Sequence, residues 1–309
     1  MKVLICDKTA SDALQAMRDA GIEVDNRPDI TPEELVRDAA QYNGMVVRSR
    51  TKITKDVIDA GTHLKIVVRG GVGLDNIDVK YAESKGVVVR NTPKASSDSV
   101  AELTLGYLLA LARKIPQASA SMAAGEWKKK ALEGTEIAGK TLGLIGLGNI
   151  GQAVARRAAA LGMNVLFYRR TPTQVPFAKQ VSLDQVLTQS DYISLHVPKT
   201  ADTANILNAE AFAKMKKGVY IINCGRGGTL DEDALYEALV SGKVAGAALD
   251  VFVDEKVNPG NPKLFELKDK DGFNLVIGSP HVGASTAEGQ DRVGGEVAEI
   301  LIDFYRKNA

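Results

Sequence analysis

Short apolar segments rich in β-branched residues recur along the first third of the chain and alternate with segments of helical periodicity. A β-branched apolar run predicts a buried strand, and a 3.6-residue pattern between two such runs predicts a crossover helix. The predicted strands are KVLIC (2 to 6), GMVVRS (44 to 49), LKIVV (64 to 68) and GVVVR (86 to 90). This alternation is typical of a β–α–β arrangement with a parallel sheet.

The clearest helix start lies at residues 31 to 34. Thr31 is the predicted N-cap of a helix over 32 to 40, Pro32 suits the first helical position, and Glu34 completes a capping box.

A second series of strands follows a long helical stretch that begins at residue 96 and reaches GEW at residue 127. Most of these strands are separated by lengths suited to a crossover helix, which predicts an open parallel sheet with helices on both faces. A last helix, over about 286 to 307, is expected to return to the first domain. The six predicted strands are TLGLIGL (141 to 147), NVLFYR (164 to 169), YISLHVP (192 to 198), VYIINCG (219 to 225), GAALDVF (246 to 252) and NLVIGSP (274 to 280).

Composition and charge argue against several classes of protein. The chain has 309 residues, of which 45% are hydrophobic and 25% charged, as expected for a globular protein of one large or two moderate domains. A formal charge of +1 predicts no general attraction to nucleic acid or membranes. Two distant cysteines argue against a disulfide framework or a metal site. With no signal-like segment and no apolar run of about 18 residues, we expect a cytoplasmic protein.

The sequence GLGNIG follows a predicted strand and precedes a predicted helix. In that context Gly146 permits a tight turn, Gly148 lets backbone N–H groups approach a pyrophosphate, and Gly151 permits close helix packing. The motif therefore predicts a dinucleotide site, the alternative being a plain strand-to-helix turn.

About 20 residues later, an NAD site usually presents an acid to the ribose hydroxyls, but this chain reads FYRRTP. Arg169 and Arg170 cannot accept those hydrogen bonds and could instead pair with a 2′-phosphate. The cofactor is thus NAD or NADP with a preference for NADP, unless the two arginines form a solvated surface.

Four further segments carry a family resemblance. GTEIAGKTLGLIGLGNIG, NCGRGGTLDEDAL, GAALDVF and SPHVGAST resemble the D-isomer-specific 2-hydroxyacid dehydrogenases, and most of all the members that oxidise phosphoglycerate. The resemblance implies an α/β protein with a Rossmann-type doubly wound domain inserted into a flavodoxin-like substrate-binding domain. It places the dinucleotide-binding domain at 97 to 282 and the substrate-binding domain at 1 to 96 plus 283 to 309.

His281 is the general acid/base that the resemblance implies, and it follows the last predicted strand, where ligands of open α/β sheets bind. A group that ionises near neutral pH suits this proton transfer. By the same resemblance Glu255 is the carboxylate that stabilises the charged imidazole. Here Lys256 replaces the usual proline after it, and Asp254 is a possible stand-in.

Arg226 matches the family arginine that binds the substrate carboxylate, a role suited to a planar guanidinium. The loop GGVGLDN resembles the segment whose backbone amides hold the same carboxylate, through Gly71, Val72 and Gly73.

The segment VVRSRTK is expected to select the substrate. Arg48 and Arg50 alternate with Ser49 at a strand end, so the two arginines are expected on one face, where they match family residues that bind a substrate phosphate. The alternative is an exposed basic strand end.

In similar proteins the region of Trp127 packs across a dimer interface and Lys129 reaches the partner's active site, which implies a homodimer. The alternative is that Trp127 is a core anchor of its own subunit.

Other cofactor contacts follow from the resemblance. His196 is expected to be structural and His63 to lie on the surface. The implied contacts are Asn149, Ile150, Val197, Cys224, Gly225, Arg226, Asp250, His281 and Gly283.

Together these observations predict an NAD(P)-dependent oxidoreductase that acts on a small phosphorylated 2-hydroxy acid, most specifically 3-phosphoglycerate at the start of serine synthesis, and that needs no metal, nucleic acid or membrane. Two alternatives stay open. One is an NADPH-dependent glyoxylate or hydroxypyruvate reductase, and the other is a dinucleotide-sensing interaction protein of the corepressor type.

Overall fold

The computed structural model describes residues 1–255 and 261–308. The chain forms two compact units: the first combines Met1–Ser97 with the segment from Ala284 onwards, and the second is Asp98–Gly283. These boundaries differ by one residue from the domain boundaries expected above. Each unit has its own parallel sheet.

The first unit is built on a five-stranded parallel sheet with the order β2-β1-β3-β4-β5. The four predicted strands are confirmed, although each is shorter than its apolar run. The strand missed from the sequence is β2, which is polar and lies at the sheet edge, where only one neighbour constrains it. The strands are β1 (Lys2–Ile5), β2 (Glu23–Asn26), β3 (Gly44–Val47), β4 (Ile66–Arg69) and β5 (Val88–Asn91).

The predicted capping box is present. Glu34 N donates to Thr31 Oγ1 over 3.2 Å, and Thr31 N donates to Glu34 Oε2 over 3.0 Å. The helix ends at Asp38 and continues as one 3₁₀ turn over Ala39–Gln41. The α-helices of this part are α1 (Ser11–Asp19), α2 (Pro32–Asp38), α3 (Lys55–Ala60) and α4 (Val79–Ser84).

The second unit holds a seven-stranded parallel sheet with the order β12-β11-β10-β9-β6-β7-β8. All six predicted strands are confirmed, and the two-residue edge strand β8 was missed because it has no apolar run. The order runs outward in both directions from β6 and β9, as in doubly wound folds. The strands are β6 (Thr141–Ile145), β7 (Asn164–Tyr168), β8 (Lys179–Gln180), β9 (Tyr192–Leu195), β10 (Val219–Asn223), β11 (Val244–Leu249) and β12 (Val276–Gly278).

The long helical stretch predicted after residue 96 consists of two helices separated by one residue. Lys114 has φ of +51° and interrupts it, and Pro116 occupies the first turn of the next helix. Pro116 lacks the N–H that would continue the helix ladder to Ala112, and its ring would clash with the Ala112 carbonyl in an unbroken helix. The helices of this unit are α5 (Ser97–Arg113, whose first residue belongs to the first unit), α6 (Ile115–Ala123), α7 (Asn149–Ala160), α8 (Leu183–Gln189), α9 (Ala209–Lys214), α10 (Glu232–Val240) and α11 (Pro262–Glu266).

The last helix, α12 (Ala287–Asn308), belongs to the first unit, as the sequence predicted. It packs against α1, where Gly294 leaves so little space that an added Cβ would lie 3.0 Å from the Cβ of Ala10. Val293, Val297 and Leu301 of this helix enter the core beside β1 and β4.

Within the described residues, no helix is both long and apolar enough to cross a membrane. The same part of the chain shows no cluster of three or more histidine, cysteine or acidic side chains arranged to hold a metal ion.

Candidate active site

The candidate site residues of the second unit, and His196, lie on loops that follow parallel strands. His196 follows β9, Arg226 follows β10, Asp250 follows β11 and His281 follows β12. Because the carboxyl ends of parallel strands share one edge of a sheet, these loops lie along the edge where ligands bind in open α/β folds.

The glycine turn between β6 and α7 fits a dinucleotide. Gly146 has φ of +102°, and an added Cβ would lie 2.4 Å from the carbonyl oxygen of His196. A Cβ on Gly151 would lie 2.6 Å from the oxygen of Gly146, so the helix start packs directly on the turn. At Gly148, by contrast, a Cβ would meet no atom within 4 Å. The turn is closed towards the protein and open towards a ligand, as a pyrophosphate requires.

Two of the predicted cofactor residues, Asn149 and Ile150, form the first turn of α7 beside this opening. Val197 also lies against the turn, because a Cβ on Gly146 would approach its Cγ1 within 2.9 Å.

The two arginines after β7 take different partners. Arg169 Nη1 donates to the oxygen of Leu147 over 3.4 Å, so this guanidinium reaches the glycine turn. Arg170 forms an exposed ion pair with Asp202 at 2.9 Å. Only Arg169 is therefore seen at the dinucleotide turn.

His281 and Glu255 are in direct contact. Imidazole Nδ1 lies 2.9 Å from Glu255 Oε2, while Oε1 of the same carboxylate accepts from Phe252 N over 3.2 Å. The expected carboxylate partner is therefore Glu255 itself, not Asp254; Lys256 lies outside the described residues. A carboxylate can act only as the acceptor of this contact, which favours a proton on Nδ1 and leaves Nε2 on the other side of the ring. The His281 side chain is 47% exposed, so a small molecule can reach it.

The loop of Arg226 packs against the loop that carries Glu255. A Cβ on Gly227 would lie 1.8 Å from the oxygen of Phe252, so only glycine allows this approach. The Arg226 backbone oxygen accepts from Thr229 Oγ1 over 2.7 Å and from Asn223 Nδ2 over 3.2 Å. Glu255, His281 and the half-buried Arg226 thus belong to adjoining loops.

Asp250 is 1% exposed and sits beneath the His281 loop. Its Oδ1 accepts from Val282 N and its Oδ2 from Gly283 N, each over 2.8 Å. The structure therefore shows Asp250 anchoring the loop, in addition to its predicted place beside the cofactor.

Cys224 and Gly225 lead from β10 into the Arg226 loop. Burial raises the pKa of the Cys224 thiol to about 12, so the side chain is a neutral thiol at ordinary pH.

His196 has the character of a structural residue. Its Nε2 lies 2.9 Å from Ser194 Oγ, and burial lowers the pKa of the imidazole to about 4. A histidine that stays neutral and packs under the glycine turn supports the turn without exchanging protons near neutral pH. His63 is exposed, as expected.

In the first unit, residues 48 to 51 lie beyond the end of β3 at Val47, so strand alternation does not apply to them. Arg50 donates to Asp7 Oδ1 and to Ile30 O, each over 3.0 Å, and also to the oxygens of Pro28 and Cys6. Asp7 is 4% exposed, so Arg50 neutralises a buried charge. The premise that Arg48 and Arg50 share a face through strand alternation is therefore wrong.

Arg48 has a different environment. Its guanidinium bonds to the neutral amide oxygen of Gln290 on α12, and it forms no ion pair within the described residues. Burial lowers the pKa of Arg48 from its usual value, with a smaller opposing effect of Asp7. The gap beside it, which Lys8, Thr9 and Gly70 also line, has a volume of about 10 Å³ and holds one water molecule at most. A half-buried cation with a neutral partner is suited to an anion.

Two residues missed in the sequence hold this loop. Asp7 accepts from Arg48 N over 2.6 Å and from Thr51 N over 3.4 Å, and Asn76 Nδ2 donates to the oxygens of Arg48 and Thr51. The available signal was that Asp7 directly follows the predicted strand KVLIC (2 to 6), at the carboxyl end of a parallel strand. Ser49 Oγ accepts from Arg69 over 3.0 Å.

In the loop of residues 70–76, the Gly71 amide is already bonded, because Gly71 N donates to Thr92 Oγ1 over 2.7 Å. The predicted role of holding a carboxylate is thereby left to the amides of Val72 and Gly73. Trp127, in the second unit, is 80% exposed, which excludes a core position within its own subunit. Lys129 is exposed in the same segment.

Comparison with known proteins decides the family. The model of the D-isomer specific 2-hydroxyacid dehydrogenase NAD-binding domain matches residues 105–283. The chain belongs to the D-isomer-specific 2-hydroxyacid dehydrogenase family. Its NAD(P)-binding domain is therefore the unit that contains the glycine turn and the His281–Glu255 pair.

Relatives within this family carry different names. A hydroxypyruvate reductase of Thermotoga maritima is 52% identical over 87% of each chain. A D-3-phosphoglycerate dehydrogenase of Methanocaldococcus jannaschii is 47% identical over 99% of this chain, which spans 58% of that relative's length. Among solved structures, an acyclic imino acid reductase in complex with NADPH and D-Arg has a TM-score of 0.87 at 31% identity, covering 99% of this chain and 97% of that one.

Proposed function

We propose that this protein transfers a hydride between a nicotinamide dinucleotide and a D-2-hydroxy acid, and that its substrate is 3-phosphoglycerate, oxidised to 3-phosphohydroxypyruvate. The observation that carries the proposal is the 2.9 Å contact between His281 Nδ1 and Glu255 Oε2, on a loop adjoining that of Arg226. Bound nicotinamide supplies the hydride acceptor for the hydrogen on C2 of the hydroxy acid.

The chain's own residues supply binding and proton transfer. His281 Nε2 accepts the hydroxyl proton as the C2–H bond breaks, and Glu255 stabilises the imidazolium that forms. Arg226 holds the substrate carboxylate and fixes C2 relative to the imidazole. In the reverse direction His281 donates the same proton to the keto oxygen.

Arg48 supports a phosphorylated substrate. It is a half-buried cation whose side-chain partner is the neutral Gln290. We assign the phosphate to Arg48, with Ser49 beside it, and give Arg50 mainly the role of holding the loop, because four of its five N–H groups are already donated.

A second candidate is an NADPH-dependent hydroxypyruvate or glyoxylate reductase. The Thermotoga maritima relative named hydroxypyruvate reductase favours it, and so does the engagement of Arg50, which leaves fewer cations for a phosphate.

For the cofactor we propose a preference for NADP. Arg169 reaches the glycine turn, and no acid follows β7 at the position that usually binds ribose hydroxyls. The ion pair of Arg170 with Asp202 is exposed, so a 2′-phosphate could compete for that guanidinium.

We also propose a homodimer in the cytoplasm. Exposed apolar side chains of the segment from α5 to Trp127 support a protein interface, since their burial by a second copy would remove them from water. They are Leu109, Ile115, Met122 and Trp127. Light scattering of the purified protein tests this; a monomer at micromolar concentration would contradict it.

A substrate panel tests the function. Initial rates are measured with 3-phosphoglycerate, glycerate and lactate in the oxidative direction and with the matching keto acids and glyoxylate in the reductive direction, each with NAD(H) and NADP(H). We expect the highest kcat/KM for the phosphorylated pair. A higher value for hydroxypyruvate or glyoxylate would select the reductase, and an absence of turnover with intact dinucleotide binding would select the interaction protein.

A further inference from the structure

The loop that carries His281 has an unusual backbone. His281 has φ of +53°, in the left-handed region that residues with a Cβ seldom occupy. Such a conformation persists where surrounding contacts impose it, and it is frequent where a side chain must be aimed. The contacts that impose it here lie in the same unit.

Three consecutive backbone N–H groups of the loop donate hydrogen bonds to Asp250. Its backbone oxygen accepts from His281 N over 2.9 Å, Oδ1 accepts from Val282 N, and Oδ2 accepts from Gly283 N. A Cβ on Gly283 would lie 2.9 Å from Oδ2, so the backbone and the carboxylate are in close contact. The direction of the His281 side chain thus depends on where the Asp250 carboxylate sits.

A serine holds that carboxylate, and a tyrosine in turn holds the serine. Ser279 Oγ donates to Asp250 Oδ1 over 2.5 Å, and Tyr107 Oη, from α5, donates to Ser279 Oγ. Tyr107 is 8% exposed, and burial raises the pKa of its phenol to about 12, so the hydroxyl keeps its proton throughout the neutral range. Because Tyr107 donates to Ser279, the hydroxyl proton of Ser279 is directed to Asp250. Each hydroxyl therefore donates towards the Asp250 carboxylate.

We propose that Tyr107 and Ser279 are positioning residues for His281, acting through Asp250. Neither needs to touch a reactant. Their role deepens the proposed hydride transfer and rests on it, since it assumes that His281 is the proton-transferring group.

Tyr107→Phe and Ser279→Ala each remove one hydroxyl of the chain, and Tyr220→Phe is a matched control on β10 of the same sheet. We expect kcat to fall about tenfold in both variants, with the KM and dissociation constant of the dinucleotide changed less than twofold. Ser279→Thr, which restores a hydroxyl, should recover most of the loss. A role in stability alone would lower the unfolding temperature while kcat per folded molecule stayed constant, and that result overturns the proposal.

A measurement without turnover separates this proposal from the proposed function. The imidazole proton resonances of the three histidines are recorded by NMR, with the His281 signal identified by its loss in His281→Asn. We expect that signal to shift or broaden in Tyr107→Phe and Ser279→Ala but not in Tyr220→Phe. An unchanged signal overturns the positioning role even if the panel above succeeds. A changed signal in a protein without turnover shows that the two hydroxyls set the environment of the His281 ring and contradicts the proposed function, which overturns a catalytic purpose for that positioning.

Discussion

Two loops of the molecule are anchored in the same way but differ in what the anchor leaves available. The histidine loop (residues 279–283) follows β12, and the arginine loop (residues 48–51) follows β3 in the other unit. Each is held by one buried aspartate, Asp250 or Asp7.

The difference lies in which donors the aspartate accepts. Asp250 accepts from backbone N–H groups and a serine hydroxyl, so the imidazole of His281 is left for a reactant and for Glu255. Asp7 accepts from the backbone and also from the guanidinium of Arg50. An anchor that uses a loop's own cation removes that cation from binding, whereas one that uses the backbone does not.

The largest effect is expected for His281→Asn. Removing a general acid/base costs about 10²- to 10⁴-fold in rate, so kcat should fall by that factor while the dissociation constant of the dinucleotide changes little. Steady-state kinetics and fluorescence titration measure the two quantities. An unchanged kcat would remove His281 from the mechanism. The histidine loop would then have no catalytic role to compare with the arginine loop.

The next largest effect is expected at Arg48, the arginine of the arginine loop that Asp7 does not bind through its side chain. Arg48→Ala should raise the KM of a phosphorylated substrate about 10- to 100-fold, since a hydrogen bond to a charged group is worth about 1.5–3 kcal/mol. The KM of glyoxylate should change less than about threefold on the same scale. Equal increases for both substrates would show that Arg48 does not recognise phosphate.

Arg50→Ala should mainly affect stability. Removing one partner of a fully buried ion pair costs about 3–5 kcal/mol, and we expect about 2 kcal/mol here because the Arg50 side chain is 48% exposed. Urea unfolding measures the loss, and Arg48→Ala is the matched control, with a smaller expected change. If Arg50→Ala instead left stability intact and raised the KM of the phosphorylated substrate as much as Arg48→Ala does, the contrast between the two arginines would be wrong.

The smallest effect is the loss of folding stability at low pH that follows from His196. It sets the pH range in which the other variants can be compared without unfolding. Burial lowers the pKa of His196 to about 4 from an ordinary value of 6.5, so the fold favours the neutral ring. This contribution to stability is complete above pH 6.5 and is lost as the pH falls towards 4, by about 1 kcal/mol at pH 5.5. His196→Gln should flatten the dependence of unfolding free energy on pH over this interval, and the exposed His63→Gln should not. Identical curves for the two variants would contradict the assignment.

Much of the fold was predictable because its signals are local. The four strands of the first unit, the six of the second and the capping box at Thr31 each follow from neighbouring residues. The edge strands β2 and β8 were not predicted, because they are short and polar and so have no apolar pattern. The break at Lys114 was also missed, although Pro116 was a visible signal for it.

In the candidate site, too, features specified by local sequence were predicted and features that depend on distant contacts were not. The sequence by itself predicted the glycine turn and, through the family resemblance, named His281, Glu255 and Arg226 as candidates, since these predictions depend on motifs of a few residues. Only the tertiary structure decided that Arg50 is held by Asp7, 43 residues away, and that Ser279 and Tyr107, 172 residues apart, support Asp250. The physical reason is that a side chain's availability depends on which distant donors and acceptors the fold brings within hydrogen-bonding distance, and local spacing contains no record of those partners.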